Sequence, residues 1–254
     1  MMAARLLPAL LACAAAVHAG EAGTAVPAPT DADRAAAAAA AAHEFHDNDV
    51  HGMLLWNHLE YVQDHGPALA WDVRGWLGTD LDRLWLRSEG DRADGRFGSA
   101  DAELLYGHSV SAWWDVLAGV RHDFRPGDGR TWAALGLQGP APLGFDVSAT
   151  AYAGGGGTAA RLQIEYALLF TNRLILQPEL NLWLHGSEDP MRELGSGIST
   201  GEAALRLRYE FTRRFAPYLG IEWERALGAT ASLRRAADTG AGSTRLVLGV
   251  RTWF

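Results

Sequence analysis

After residue 52, apolar and polar residues alternate with a period of two along most of the chain. Between residues 205 and 211, for example, four apolar side chains are separated by Arg206, Arg208 and Glu210. An α-helix, with about 3.6 residues per turn, would scatter these charges over all its faces, whereas a β-strand places them on one face. The pattern therefore predicts strands that have one apolar face and one polar face.

The alternating segments are long and numerous. Most of them match the ~9–11 residues of a tilted membrane-spanning strand better than the ~5–6 residues usual in globular sheets. Aromatic residues such as Tyr61, Trp113 and Phe215 collect near the segment ends, as expected at the two membrane interfaces. We predict about twelve strands, near residues 53–63, 68–78, 81–88, 96–108, 112–124, 131–138, 143–153, 158–170, 174–185, 199–211, 215–225 and 243–254.

The connections between these strands alternate in length. Short periplasmic turns and longer external loops are typical of outer-membrane barrels, and an even strand count places both chain ends in the periplasm. The expected fold is therefore all-β, a transmembrane antiparallel β-barrel of about 12 strands, preceded by a flexible periplasmic N-terminal segment. A secreted soluble β-sandwich is the alternative, because its strands alternate as well. The short turns lie at 78–80, 109–111, 171–173 and 212–214, the longer loops at 89–95, 125–130, 186–198 and 226–242, and the two connections that fit less well at 64–67 and 139–142.

The N-terminal residues have the pattern of a secretory signal. Arg5 supplies the positive charge, an apolar stretch follows, and Val17-His18-Ala19 forms a small-residue cleavage site, so cleavage is expected after Ala19. We divide the chain into a signal peptide at 1–19, a periplasmic Ala-rich linker with a His/Asp patch at 20–52, and the barrel at 53–254. The single cysteine, Cys13, lies in the signal, which excludes disulfides and thiolate metal sites from the mature chain.

Charge refines this description in two ways. The chain has a net charge of −8, and all 22 of its basic residues are arginine; the acidic balance argues against a nucleic-acid partner. The polar strand faces carry arginines and carboxylates in nearly equal numbers, and the fixed donors of arginine suit bidentate contacts with carboxylates. We expect these residues to pair across a constricted interior rather than line an open channel. An equally weighted alternative is that these charged residues only stabilise the barrel.

Candidate chemistry is confined to one histidine-rich stretch. The motifs HExxH and GxxxxGK[ST] are absent, and the barrel histidines His108, His122 and His185 lie on separate strands, so we expect no enzyme. By contrast, imidazole, carboxylate and thioether groups cluster in HEFHDNDVHGM, residues 43–53. Imidazole suits Cu(II), Zn and Ni, and thioether favours Cu(I). A solvated linker is the alternative interpretation. The candidate metal ligands are His43, His46, His51, Met53 and, on the first strand, His58.

Five segments resemble a known family, the copper resistance protein B family of outer-membrane proteins. The similarity covers about residues 52–254, and it implies a periplasmic copper-handling segment joined to a barrel. Such family members often carry a long Met/His/Asp-rich N-terminal segment, which an Ala-rich stretch replaces here. The segments are WDVRGWLGTDLDRLWLRSEG (71–90), GVRHDFRPG (119–127), LLFTNRLILQPEL (168–180), LRLRYEFTRRFAPYLGIEWER (205–225) and LGVRTWF (248–254).

The resemblance implies an outer-membrane copper resistance protein that binds copper at the periplasmic side and sequesters or exports it. Because the segment is short, we expect one weak copper site, with a ligand set that favours Cu(II) but leaves the oxidation state open. Expected partners are outer-membrane lipid, the barrel-assembly machinery and a periplasmic copper protein. The assembly machinery reads a C-terminal signal, which the terminal Phe254 resembles. A narrow general porin without a metal role is the second hypothesis, and a barrel enzyme acting on lipid or peptide is the third.

Overall fold

The computed structural model describes residues 28–44, 49–63 and 66–254. The first of these ranges contains α1, Asp31–Glu44, which includes the alanine run of the predicted linker. Its N-terminus is capped by Thr30: the Asp33 N–H donates to Thr30 Oγ1 at 3.2 Å, and the Thr30 N–H donates to Asp33 Oδ2 at 2.8 Å. Such a reciprocal cap satisfies two of the N–H groups that a helix start leaves unpaired. The alanine run is therefore helical rather than irregular.

The second compact unit spans residues 48–254 and consists almost entirely of strands. Its second helix, α2, lies at Gly228–Ala236 in the connection before the last strand. Neither described helix is long and apolar enough to cross a bilayer. The strands are β1 (His51–Gln63), β2 (Pro67–Gly78), β3 (Asp82–Ala93), β4 (Arg96–Ser109), β5 (Asp115–Arg125), β6 (Arg130–Ala141), β7 (Phe145–Gly154), β8 (Gly157–Tyr166), β9 (Leu168–Leu169), β10 (Leu174–His185), β11 (Gly197–Tyr209), β12 (Phe215–Ala226) and β13 (Gly242–Trp253).

Every strand pairs antiparallel with its neighbours, and the first strand pairs with the last, Leu55 opposite Trp253. β8 and β9 both pair with β10 in one continuous register, Glu165 opposite Glu179 and Leu169 opposite Ile175, so they are two parts of one strand. The sheet is thus a closed barrel of twelve strands, which confirms the predicted fold. Closure leaves no unpaired edge, which a sheet surrounded by lipid requires.

The two faces of the wall differ as the alternation predicts. Leu104 points outward and keeps 47% of its surface exposed, whereas the adjacent Leu105 points inward and is 0% exposed. Leu105 packs inside with Leu117, Trp132 and Tyr152. Large apolar side chains remain exposed outward on most strands, which a soluble protein rarely tolerates over a continuous area. The outer face is therefore the lipid-facing one.

The connections differ in part from those predicted. β3 continues to Ala93, so the loop expected at 89–95 is a two-residue turn of Asp94 and Gly95. Both residues have positive φ, 50° and 77°, the geometry that suits a tight hairpin. The long connections are 186–196 and 227–241. Both lie at the end of the barrel opposite to His51 and Trp253. We call this end the loop end and the other the turn end.

A charged residue introduced into the lipid-facing wall should destabilise the barrel. Leu104→Arg places a guanidinium near the middle of β4, where we expect a loss of about 2–4 kcal/mol in the free energy of unfolding. The matched control is Leu143→Arg in the turn-end connection, where the side chain is 85% exposed and the cost should be about 0–1 kcal/mol. Denaturant unfolding in lipid vesicles measures both. Equal losses in the two variants would contradict a lipid-facing Leu104.

Candidate functional site

Charged side chains from six strands, β1, β2, β3, β8, β10 and β11, meet half-way along the lumen. They stand on the polar faces that the sequence pattern predicts to point inward. The closed sheet turns those faces toward one another instead of toward water. We call this group the central ionic layer; its members are Glu60, Asp72, Arg74, Glu89, Arg161, Glu165, Glu179 and Arg206.

Arg206 of β11 binds three carboxylates. Its Nε donates to Glu60 Oε1 at 2.7 Å, its Nη1 to Glu179 Oε2 at 2.8 Å and its Nη2 to Glu222 Oε2 at 3.3 Å. Glu60 lies on β1, so this contact spans the two intervening strands β12 and β13. The Tyr218 hydroxyl donates to the same Glu60 oxygen at 2.9 Å. One guanidinium thereby joins four strands.

Two further arginines cross the lumen. Arg161 of β8 forms a bidentate pair with Glu89 of β3, at 2.8 and 2.7 Å. Arg74 of β2 lies 3.0 Å from Glu165 of β8. All of these groups are buried or half-buried. A buried charge left without its partner destabilises a protein by about 3–5 kcal/mol, so each arginine is held by several acceptors.

A cavity lies on either side of the central ionic layer. The turn-end cavity has a volume of about 790 Å³ and is lined by Met53, Asn57 and four arginines balanced by four carboxylates. The loop-end cavity has a volume of about 660 Å³ and is lined by nine carboxylates but only three arginines. The two cavities share no lining residue. The layer therefore separates the two cavities, and the acidic cavity lies on its loop-end side.

A β-bulge brings a histidine into this layer. The pairing of β1 with β2 shifts register between Trp56 and His58, so Asn57 and His58 both point inward although they are adjacent. His58 Nδ1 lies 3.7 Å from Asp72 Oδ2, and His58 Nε2 lies 3.7 Å from Glu179 Oε2. Simple alternation would place one of the two neighbours in lipid, so the bulge determines where His58 lies.

The structure separates the candidate metal ligands. His43 belongs to α1, and His46 lies outside the described residues. His51 is exposed at the turn end, Met53 lines the turn-end cavity, and His58 is buried in the central ionic layer. At a rise of about 3.3 Å per residue, Met53 and His58 stand roughly 16 Å apart, so they cannot hold one ion together. Within 28–44, 49–63 and 66–254, no three His, Cys, Asp or Glu side chains form a metal-binding group.

Several residues of the site escaped the sequence pattern. Glu89 was assigned to a loop because apolar alternation stops before it, yet it lies on β3 and pairs with Arg161. Asn57 donates to Asp72 Oδ2 at 2.9 Å, a contact that depends on the bulge. No short-range signal marks such partners, since they come from different strands.

Comparisons with known proteins agree with this geometry. The family model described as copper resistance protein B precursor matches residues 50–254, which cover all thirteen strands. The chain belongs to the copper resistance protein B family. A copper resistance protein B homolog of Pseudomonas syringae pv. tomato is 50% identical over 91% of this chain and 80% of its own length. Copper resistance protein B of Escherichia coli is 43% identical over 92% of this chain and 80% of its own length.

A solved barrel shares the fold of this family member. NanC porin matches with a TM-score of 0.53 at 12% sequence identity, over 80% of this chain and 99% of its own length. The expected resemblance and the outer-membrane location are thus confirmed.

Removing the Arg206 side chain from the central ionic layer should lower the stability of the barrel and widen its lumen. Arg206→Ala leaves Glu60, Glu179 and Glu222 without their shared guanidinium, so we expect a loss of about 3–5 kcal/mol in the free energy of unfolding. It also removes the side chain that spans the lumen, so the ion conductance in planar bilayers should rise above that of the wild type.

The control is Arg213→Ala, which removes an arginine that is 77% exposed and pairs with Glu210 at the turn end. Its conductance and stability should match those of the wild type. A wild-type barrel that already conducts as well as the Arg206→Ala variant would show that the layer does not close the lumen.

Proposed function

We propose that this chain is an outer-membrane copper-tolerance protein that binds copper at the turn end and sequesters or exports it. The observation that carries the proposal is the position of three ligands on one strand. His51 stands at the mouth, Met53 in the turn-end cavity, and His58 in the central ionic layer. These side chains form a line from the mouth to the middle of the lumen.

The ligands suit copper chemically. Imidazole binds Cu(II) well, and the thioether of Met53 is a soft ligand that favours Cu(I). Met53 and His58 stand too far apart on the strand to share an ion, so the lumen offers a single ligand at each of these two depths. Weak binding at successive positions follows, and His43 and His46 of the preceding segment are further candidate ligands. Weak binding also permits release, which a carrier of copper requires.

The proposed orientation places the turn end in the periplasm. Short turns on the periplasmic side and long loops outside are usual for outer-membrane barrels. Here the long connections 186–196 and 227–241 lie at the loop end, whereas the first strand begins and the last strand finishes at the turn end. A periplasmic copper protein could then deliver its ion to His51. In the same orientation, the exposed Phe254 is presented to the barrel-assembly machinery.

The charges of the lumen favour cations as cargo. A cation that passes the central ionic layer enters the loop-end cavity, where carboxylates outnumber arginines by nine to three. Like-charge repulsion disfavours anions there. The adjoining cavity, which shares part of this lining, has six carboxylates and five arginines. The ion pairs that cross the lumen narrow it, which argues against the alternative of a general porin. The proposed role is non-enzymatic, since it requires only binding and movement of an ion.

Removing the ligands at the mouth should abolish copper tolerance. In a strain that lacks the gene, a variant with His43, His46 and His51 changed to Ala and Met53 changed to Leu should fail to restore growth on copper. The His58→Ala variant should still bind copper at the mouth but should lose the passage or storage of copper in the lumen. Copper titration of the purified protein should show affinity about 10-fold or more lower in the mouth variant.

His108→Ala is the matched control, because His108 pairs with Asp82 on the outer face, away from the proposed ligands. It should restore growth fully. Full rescue by the mouth variant would remove these four residues from the function. Steady conductance to many small ions, indifferent to copper, would favour the porin.

A further inference from the structure

Three arginines lie together at the loop end without carboxylate partners among the described residues. Arg92 is near the end of β3, Arg96 starts β4, and Arg125 ends β5. All three are exposed. Arg92 Nη2 donates only to the Gly95 carbonyl at 3.3 Å. We call Arg92, Arg96 and Arg125 the rim arginines.

An aromatic groove lies beside the rim arginines on the outer face. Trp71 points outward because its neighbour Asp72 belongs to the lumen, and it packs edge-to-face on Phe97 with ring centroids 6.0 Å apart. Phe97 and Phe124 are 53% and 54% exposed. The groove has a volume of about 590 Å³ and is also lined by Arg125, Asp101 and Asp128.

A second groove joins the aromatic groove to the rim. It has a volume of about 400 Å³ and is lined by Arg96, Arg125 and Phe97. The guanidinium of Arg92 lies 5.4 Å from the centre of the Phe97 ring. Apolar surface therefore continues directly into a basic surface, in the order that a membrane lipid presents its acyl chain and its head group.

We propose that this surface binds the phosphorylated glycolipid lipid A, with an acyl chain on Trp71, Phe97 and Phe124 and a phosphate on the rim arginines. Guanidinium groups pair with phosphate through two parallel hydrogen bonds, which makes arginine well suited to this ligand. Aromatic side chains at the level of the head groups are typical of membrane interfaces. The inference rests on the proposed orientation, which places the loop end in the outer leaflet.

The net charge of the surface supports an anionic lipid. Asp94 and Asp128 lie on the adjoining turns and oppose the three arginines. Asp101, which also lines the aromatic groove, is paired with Arg121, so one positive charge remains in excess. The arginines come from three strands, so they are spread along the rim. A head group with two phosphates on a disaccharide can reach more than one of them, whereas a glycerophospholipid offers a single phosphate.

The test is native mass spectrometry of the detergent-purified barrel, titrated with diphosphoryl lipid A or with phosphatidylglycerol. The variant Arg92→Gln/Arg125→Gln removes two rim arginines. The control Arg173→Gln/Arg213→Gln removes two exposed arginines from the turn end, so both proteins have the same net charge. We expect the rim variant to bind lipid A about 10-fold less tightly, as loss of charge-assisted hydrogen bonds predicts, and the control to bind as the wild type does.

Equal affinity of the three proteins for lipid A would overturn the site. Affinity of the wild type for phosphatidylglycerol as high as for lipid A would overturn the choice of ligand. Arg96→Gln, a single change at an exposed position, serves as a second variant in case the double variant folds poorly, and it should also weaken lipid A binding. No copper is present in these measurements, so their failure leaves the copper role intact, and loss of copper tolerance leaves the lipid site intact.

Discussion

The pairing of arginines with carboxylates inside the closed wall is the interaction on which the rest of the structure depends. Closing the sheet satisfies the backbone hydrogen bonds but directs every polar strand face toward a narrow interior. Charges in such a space are stable only when they are paired and hydrogen-bonded. Arginine meets this requirement because its planar fork binds several acceptors at once, as Arg206 does with Glu60, Glu179 and Glu222. Lysine has three donors on one compact ammonium group and lacks the wide planar fork with which Arg206 joins four strands.

The strands and their faces could be predicted from the sequence because alternation is a local property. Arg206 and Asp72 were assigned to the polar face from their immediate neighbours, and both lie in the lumen. Partners across the lumen could not be predicted, since they depend on the stagger between strands. Glu89 illustrates the limit: apolar alternation ends before it, so it was assigned to a loop, although backbone pairing continues to Ala93. The helix α2 gave no signal either, because nine residues are too few for its period to stand out.

The candidate site shows why closeness in sequence differs from closeness in space. Histidines within a few residues could share one ion in a helix or a loop, but a strand extends by about 3.3 Å per residue. Because β1 begins at His51, the residues His51, Met53 and His58 lie in a row along one extended strand and do not form a cluster. The bulge at Asn57 then decides which side of the wall His58 occupies. Neither the start of the strand nor the bulge follows from residue types alone.

The row of His51, Met53 and His58 reaches the central ionic layer at His58, where a cation moving along the proposed path would meet its ion pairs. The two carboxylates nearest its ring, Asp72 and Glu179, are already bound by Arg74 and Arg206 at 2.8 Å each. A cation at His58 would have to compete with these guanidiniums for the same oxygen atoms. Under the proposed function, a cation that succeeds would loosen the ion pairs across the lumen, and one that fails would stop at Met53 and His51. Sequestration and export would then be two outcomes of one competition, set by the affinity of the ion for the layer relative to that of the arginines.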